Sequence, residues 1–300
     1  MKKRLTLFSL LLLFTMTAMA RTLVVVGALY YYLNDSKNTA EVTQNPYGAS
    51  TNYSGDIVIP ASISVDGVDY SVTSIGSGAF FGCDGLRSIE IPNSVISIGE
   101  YAFLGCSSLT SIEIPNSVIW IGNGAFSDCS NLTSIEIPNS VTSIGYNAFA
   151  SCSGLTSIEI PTSVTSIGDY VFYDCSGLTS IEIPNSVTSI GEASFASCSG
   201  LTSITMQRAT PPIVGYDIFL GCNNLETIYV PVGASEAYNV VPWNEYNIVE
   251  REVAGIEEVT QEEWPADVYD LNGRMVKAQA ESLDGLPKGV YIVNGKKFVK

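Results

Sequence analysis

The sequence predicts a mainly β solenoid of about seven 23-residue coils, with a β-rich cap before it and a small β module after it. The 23 residues that begin at Leu132 return almost unchanged at Leu86, Leu109, Leu155 and Leu178, and such a fixed period is typical of solenoids. In each copy, Leu-x-x-Ile-x-Ile alternates apolar and polar positions, as a half-buried strand does. A proline then stops strand pairing and turns the chain.

The rest of the repeat predicts how each coil closes. The pattern Val-x-x-Ile-Gly predicts a second short strand on the opposite side of the coil. An Ala-Phe pair follows it, and we expect one ring per coil to stack in the core as an aromatic spine: Phe80, Phe103, Phe126, Phe149, Phe172, Phe195 and Phe219. Glycine or asparagine precedes most of the repeat leucines, which favours a left-handed turn residue there: Gly85, Asn131, Gly154, Gly177, Gly200 and Asn224.

The cysteines form a ladder with one member per repeat: Cys83, Cys106, Cys129, Cys152, Cys175, Cys198 and Cys222. Equivalent residues of neighbouring coils lie ~4.8 Å apart, whereas a disulfide needs Cβ atoms about 3.8 Å apart. Neighbours could therefore pair only if the ladder bends, and an odd count leaves one thiol unpaired. We interpret the cysteines as small buried hydrophobic residues rather than as disulfides or metal ligands.

Charge and composition exclude several function classes. The formal net charge is −16, and Arg87 is the only basic residue between Lys37 and Arg208, which argues against nucleic acid and anionic membranes as partners. The chain has no histidine, so Ser-His-Asp catalysis, Cys-His catalysis and His-ligated metal sites are excluded. No spacing of carboxylates or lysines suggests a reaction, and we expect a protein that is not an enzyme.

The first 20 residues predict export. Lys2, Lys3 and Arg4 precede an apolar run, and Ala18 and Ala20 frame a small-residue cleavage site, which together are typical of a signal peptide. The apolar run is too short for a comfortable membrane span. We therefore expect an extracellular or outer-surface protein with no transmembrane segment once the leader is removed.

Composition divides the chain into five parts. Residues 1–20 form the signal peptide, and 21–82 the N-terminal β cap with an atypical first repeat. Residues 83–248 form the solenoid with its closing segment, 249–264 an acidic linker, and 265–300 the small C-terminal β module. Within the cap, alternating apolar runs predict three short strands, at Leu23–Val26, Leu29–Leu33 and Ala40–Val42. The Val-Asp-Gly-Val sequence at Val65–Val68 predicts a hairpin turn.

The repeat resembles that of a known family. The Cys-Ser-Gly-Leu-Thr-Ser-Ile-Glu-Ile-Pro-Asn-Ser-Val-Thr-Ser-Ile-Gly copies, the Ala-Phe pairs and the Pro211-Pro212 variant are similar to BspA-type leucine-rich repeat proteins, over roughly residues 40–250. The resemblance implies a leucine-rich repeat solenoid whose first strands line a concave face that often binds ligands. It also implies a surface protein that adheres to host matrix or cell-surface proteins, or to other microbes.

The C-terminal module carries a second resemblance. Val268–Val276 and Leu286–Lys300 are similar to the C-terminal sorting domain that directs Bacteroidetes-type proteins through the type IX secretion system. That resemblance implies a secretion signal. The alternative is a small β module that packs on or near the end of the solenoid.

The most ordered surface feature is a column of glutamates, one per coil: Glu90, Glu113, Glu136, Glu159 and Glu182. Each occupies an outward position of the first strand. Like charges ~5 Å apart in water repel by about 0.8 kcal/mol per neighbouring pair, so a basic partner or a cation such as Ca²⁺ would relieve the column. The alternative is that repeat duplication copied a harmless surface residue. We expect no other cofactor.

Trp120 is the second candidate binding residue. It replaces the serine found at the equivalent position of five other repeats, so the repeat itself does not require it: Ser74, Ser97, Ser143, Ser166 and Ser189. A lone large aromatic at a polar position suits an anchor for a partner, but the ring could equally pack over Ile96 and Ile119. The sequence therefore favours a binding protein at the cell surface, with a non-adhesive structural or cation-binding surface solenoid as the alternative.

Overall fold

The computed structural model describes residues 21–46 and 53–251, together with four stretches of the C-terminal region: 266–269, 275–280, 290–293 and 296–299. The predicted signal peptide lies outside the described residues. The strands of the cap and of the first coils are β1 Thr22–Val26, β2 Leu29–Asn34, β3 Thr39–Thr43, β4 Gly55–Val58, β5 Ser62–Val65, β6 Val68–Ile75, β7 Leu86–Glu90, β8 Ser97–Ile98, β9 Ser111–Glu113, β10 Trp120–Ile121, β11 Ser134–Glu136 and β12 Ser143–Ile144.

The later strands continue the same alternation. They are β13 Ser166–Ile167, β14 Ser180–Ile183, β15 Ser189–Ile190, β16 Ser203–Met206, β17 Ile213–Val214, β18 Thr227–Pro231 and β19 Asn247–Arg251, with a 3-10 helix at Trp243–Glu245. The C-terminal strands are β20 Ala266–Tyr269, β21 Met275–Ala280, β22 Val290–Val293 and β23 Lys296–Val299.

The coils contribute strands to two faces, as the repeat pattern predicts, except that the coil beginning at Leu155 has only an isolated bridge at Glu159 in place of its first strand. On the second-strand face, β1-β2-β3-β6-β8-β10-β12 form one sheet and β13-β15-β17 another. On the first-strand face, the pairs are β4-β7 and β9-β11, followed by the four-stranded sheet β14-β16-β18-β19. Neighbouring coils pair in parallel, one repeat apart. The second-strand face is interrupted once, between β12 and β13.

The predicted cap strands are confirmed. Strands β1, β2 and β3 pair antiparallel, and β3 then pairs in parallel with β6, so the cap feeds directly into the second-strand face. The predicted hairpin joins β5 to β6, and Asp66 and Gly67 both take left-handed backbone angles in its turn. Such a turn matches the twist of the strands it connects.

The aromatic spine is also confirmed. The rings of Phe80 and Phe103 stack with centroids 5.1 Å apart and planes inclined by 1°, and this stacking continues to Phe219. Tyr53 covers the first ring at 5.0 Å, and Trp243 meets the last ring edge-on at 5.6 Å. The two end residues keep water from the ends of the core, which a solenoid requires.

The cysteines are free and buried, which confirms that they are small buried residues of the core. Each thiol from the second to the last donates a hydrogen bond to the phenylalanine carbonyl of the preceding coil. The pairs are Cys106–Phe80 and Cys129–Phe103 at 3.2 Å, Cys152–Phe126 and Cys175–Phe149 at 3.1 Å, Cys198–Phe172 at 3.0 Å and Cys222–Phe195 at 2.9 Å. The sequence did not predict these bonds, which explain why cysteine stands here rather than alanine.

The prediction of left-handed residues before the repeat leucines is wrong. None of Gly85, Asn131, Gly154, Gly177, Gly200 and Asn224 has a positive φ. The left-handed residues flank the Ala-Phe pair instead, at two positions per coil: Gly78, Tyr101, Gly124, Asn147, Tyr170, Ala193 and Asp217, and Gly82, Gly105, Asp128, Ser151, Asp174, Ser197 and Gly221.

Close approach between coils explains the glycines that precede the leucines. A Cβ atom at Gly177 would lie 2.3 Å from the carbonyl oxygen of Ser153 in the coil before it, and one at Gly154 would lie 2.6 Å from that of Ser130. Where asparagine stands instead, its side chain uses this carbonyl, because the Asn131 amide donates to Ser107 at 2.7 Å. The position selects residues for contact between coils and not for backbone conformation.

The end of the solenoid differs from its predicted boundary. Strand β19 pairs in parallel with β18 as far as Arg251, so the first three residues of the predicted acidic linker belong to the solenoid. The remainder of that linker, residues 252–264, lies outside the described residues. The C-terminal strands form an antiparallel sheet in the order β21-β20-β22-β23, which confirms a small β module within 265–300.

Candidate binding surfaces

The glutamate column lies on the first-strand face, and all five side chains are exposed. We call these residues, Glu90, Glu113, Glu136, Glu159 and Glu182, the Glu stripe. Glu113 pairs with Glu136 across β9 and β11, and Glu159 forms an isolated parallel bridge with Glu182. The alternation of the first strand therefore placed these residues correctly. At the C-terminal end of the stripe, the side-chain amide of Gln207 donates a hydrogen bond to Glu182.

The stripe has no internal counter-charge. In the cap and the solenoid, ion pairs join Arg21 to Glu41 at 2.8 Å and Arg87 to Asp56 at 3.1 Å, and neither includes a stripe residue. Carboxylates that repeat every ~4.8 Å form a line of charge, and they do not converge on one point. Among the described residues no group of three or more acidic or cysteine side chains could hold a metal ion. The stripe is therefore an exposed line of negative charge with no ion-pair partner among the described side chains.

Trp120 lies on the second-strand face, on the opposite side of the coil from the Glu stripe. It pairs in register with Ser97 on one side and Ser143 on the other. Its side chain is half-buried, while the neighbouring Ile96 and Ile119 are exposed. The structure therefore separates Trp120 from the glutamates, and the anchor and packing interpretations both fit its position.

The sequence analysis missed a group of exposed tyrosines on the turn side of the coils, between the second strand and the next first strand. Tyr146, Tyr170 and Tyr173 contact one another there. They occupy three different positions of the repeat, in two adjacent coils. A comparison of the copies at every outward position, rather than at the strand positions alone, would have found them.

The repeat sequence matches the model of one protein family. A family model described as the BspA type leucine rich repeat region matches in six copies, over residues 62–179 and 121–247. The chain belongs to the BspA-type leucine-rich repeat family. The family model thus covers the coils that carry the Glu stripe, Trp120 and the tyrosines. No curated protein sequence matches the chain.

Solved structures show the same type of repeat. The T. pallidum leucine rich repeat protein is 26% identical, with a TM-score of 0.60, over 77% of this chain and 99% of that one. A leucine-rich repeat protein from Bacteroides ovatus is 28% identical with a TM-score of 0.38, over 69% and 70% of the two chains. A leucine rich cell surface protein from Faecalibacterium prausnitzii is 23% identical with a TM-score of 0.26, over 77% and 95%.

BspA-type repeats place this chain among bacterial leucine-rich repeat proteins, a family with surface and protein-interaction roles. Solenoids of this kind are typically binding scaffolds rather than enzymes. In the described part of the chain, no helix has the length and apolar character needed to cross a membrane.

Proposed function

We propose that this BspA-type protein is exported and binds macromolecules at the cell surface through its first-strand face. The observation that carries the proposal is the Glu stripe, which is exposed over five coils and lacks an internal cation. Five glutamates at ~4.8 Å spacing extend over roughly 19 Å. This length matches about six residues of an extended basic segment, which rise ~3.3 Å each.

The family and the predicted leader support the location and the class of partner. Export rests on the predicted signal peptide of residues 1–20, and adhesion to host matrix proteins, host cells or other microbes rests on the family resemblance. Charge supports a basic partner region, because the stretch from residue 88 to residue 207 contains no lysine or arginine. Electrostatic complementarity raises the association rate and fixes orientation.

Neutralising the Glu stripe tests the proposal. We expect the triple variant E113Q/E136Q/E159Q to bind immobilised fibronectin, laminin or collagen at least tenfold more weakly than the wild type, because three charges that attract the partner are removed. Surface plasmon resonance at low and physiological salt measures the effect, which should shrink as salt screens the charges. Trp120→Ser in the same assay shows whether the second-strand face contributes.

The matched control removes three charges elsewhere. D84N/D128N/D217N has the same net charge as the stripe variant, and asparagine tolerates the positive φ of Asp128 and Asp217. This control should bind like the wild type. Equal binding by both triple variants would show that the stripe is not the contact surface, whereas equal weakening would show that net charge alone matters.

The C-terminal module is proposed to direct secretion by the type IX route. Truncation before Pro265 should retain the protein inside a host that carries this system, while the full-length chain appears in the medium or on the cell surface. Fractionation and immunoblotting measure the distribution. A leader deletion, which blocks the earlier export step, serves as the control. If the truncated chain reaches the outside as efficiently as the full-length chain, the module is not a sorting signal.

A further inference from the structure

Three tyrosines, two exposed and one half-buried, form one cluster on the turn side of the solenoid. Tyr146 and Tyr170 meet edge to face, with centroids 5.4 Å apart and planes inclined by 63°. Tyr170 and Tyr173 are 5.8 Å apart and inclined by 58°. Tyr146 is 44% exposed and Tyr173 38%. We call these three residues the tyrosine patch.

The repeat does not require this cluster. The residues equivalent to Tyr146 in the two flanking coils are Asn123 and Asp169, and those equivalent to Tyr173 are Ala150 and Ala196. The aromatic side chains therefore converge only at this pair of coils. Tyrosine contributes a large and rigid contact surface at low entropic cost, which is why it is enriched in binding sites.

Tyr170 is kept at a position that disfavours it. Its φ is +57°, a conformation that glycine and asparagine adopt readily and bulky residues rarely do. The equivalent residues in the two preceding coils are Gly124 and Asn147. Tyr101 shares this conformation, but its ring covers Gly124, where a Cβ atom would lie 2.7 Å from it. The Tyr170 ring contacts the rings of Tyr146 and Tyr173, both of which are exposed.

A carboxylate is held beside the rings. The hydroxyl of Tyr170 donates a hydrogen bond to Glu192 at 2.9 Å, and the Glu192 amide donates to the Asp169 carboxylate at 2.8 Å. The bond to Glu192 raises the pKa of Tyr170, so the phenol keeps its proton and continues to donate. The patch thus combines aromatic faces with two fixed negative charges, in a stretch that contains no basic residue.

We propose that the tyrosine patch binds an arginine-bearing segment of a partner protein. Aromatic faces attract cations, and a guanidinium is planar and weakly hydrated, so it stacks on a ring while it pairs with a carboxylate. The lysine ammonium is a strongly hydrated point charge and gains less from the rings. The proposal goes beyond the role of the Glu stripe, because it concerns another side of the coil and predicts selectivity between two cations of equal charge.

Two fluorescein-labelled peptides of equal charge test this proposal, one alternating glycine with arginine and the other glycine with lysine. Fluorescence anisotropy should show that the leader-free chain binds the arginine peptide at least about fivefold more tightly. Y146S/Y173S should remove this preference, whereas Y146F/Y173F should keep it because the ring faces remain. Both tyrosines are exposed, so melting temperatures should match the wild type.

The Glu-stripe variant separates this proposal from the proposed function. E113Q/E136Q/E159Q should weaken both peptides alike and leave the ratio of their affinities unchanged. Three results would overturn the proposal: equal affinity of the wild type for the two peptides, no binding of the arginine peptide, or an unchanged ratio in Y146S/Y173S. If only the stripe variant bound the two peptides with equal affinity, the proposal would also be overturned, because the Glu stripe would then cause the preference for arginine.

Discussion

Replacing Phe126 by alanine should lower the free energy of unfolding by about 3–5 kcal/mol. The ring is fully buried and lies between two others, 5.2 Å from that of Phe103 and 5.5 Å from that of Phe149. Removal of the ring leaves a cavity between the rings of Phe103 and Phe149. The coils are held together by hydrogen bonds, so their backbones cannot move inward to fill the cavity. Urea denaturation followed by circular dichroism measures the change.

Phe81 provides the control for this experiment. It lies on a turn and is 55% exposed, so Phe81→Ala should cost less than about 1 kcal/mol. Phe126→Leu should fall between the two, because most of the buried volume is retained. Similar losses at Phe81 and Phe126 would show that burial within the aromatic spine does not determine how much the Phe126 ring stabilises the fold.

Raising the pH above 9 should destabilise the protein progressively, because the buried thiols resist ionisation. Burial raises the pKa of Cys129 and of Cys175 to about 12, from an ordinary value of 9.0. Between these values the unfolded chain has lost protons that the folded chain retains. The thiols therefore contribute their full stability below pH 9 and lose it as the pH rises towards 12. At pH 10 the loss is about 1.4 kcal/mol for each thiol.

Denaturation curves at pH 8 and pH 10 measure this loss. The double variant C129A/C175A should be less stable than the wild type at pH 8, since two hydrogen bonds are removed, but it should lose about 3 kcal/mol less on going to pH 10. A wild type and a variant with the same pH dependence would show that these thiols do not govern alkaline unfolding.

The sequence predicted the interior of the coil better than its turns. Leucine, isoleucine and phenylalanine recur with the periods of strands and coils, so their burial followed directly from the pattern. The glycines were misassigned because glycine serves two purposes, a positive φ or a close approach, and a repeat shows only that glycine recurs. Gly177 needs the second, since Ser153 of the preceding coil leaves no room for a Cβ atom.

The sequence likewise predicted one of the candidate surfaces and missed another. The Glu stripe occupies one position of the repeat, so strand alternation was enough to place it on an exposed face. The tyrosine patch combines three positions of the repeat, and only the radial arrangement of the coil brings them together. The left-handed residues Tyr170 and Asp174 begin and follow the turn that carries Tyr173, and the sequence did not predict their positions.

The interruption between β12 and β13 leaves the backbones of two neighbouring coils farther apart on the second-strand face than at the adjacent junctions. A Cβ atom at Gly168 would lie 3.8 Å from the Ile144 carbonyl oxygen, whereas those at Gly145 and Gly191 would lie 2.5 Å from the backbone of the preceding coil. The turn side stays bonded at this level, for example through the Phe149 amide and the Val171 carbonyl at 3.0 Å. The two coils are therefore joined through their phenylalanine turns rather than through the second-strand face, and Tyr146 and Tyr170 touch on this same turn side.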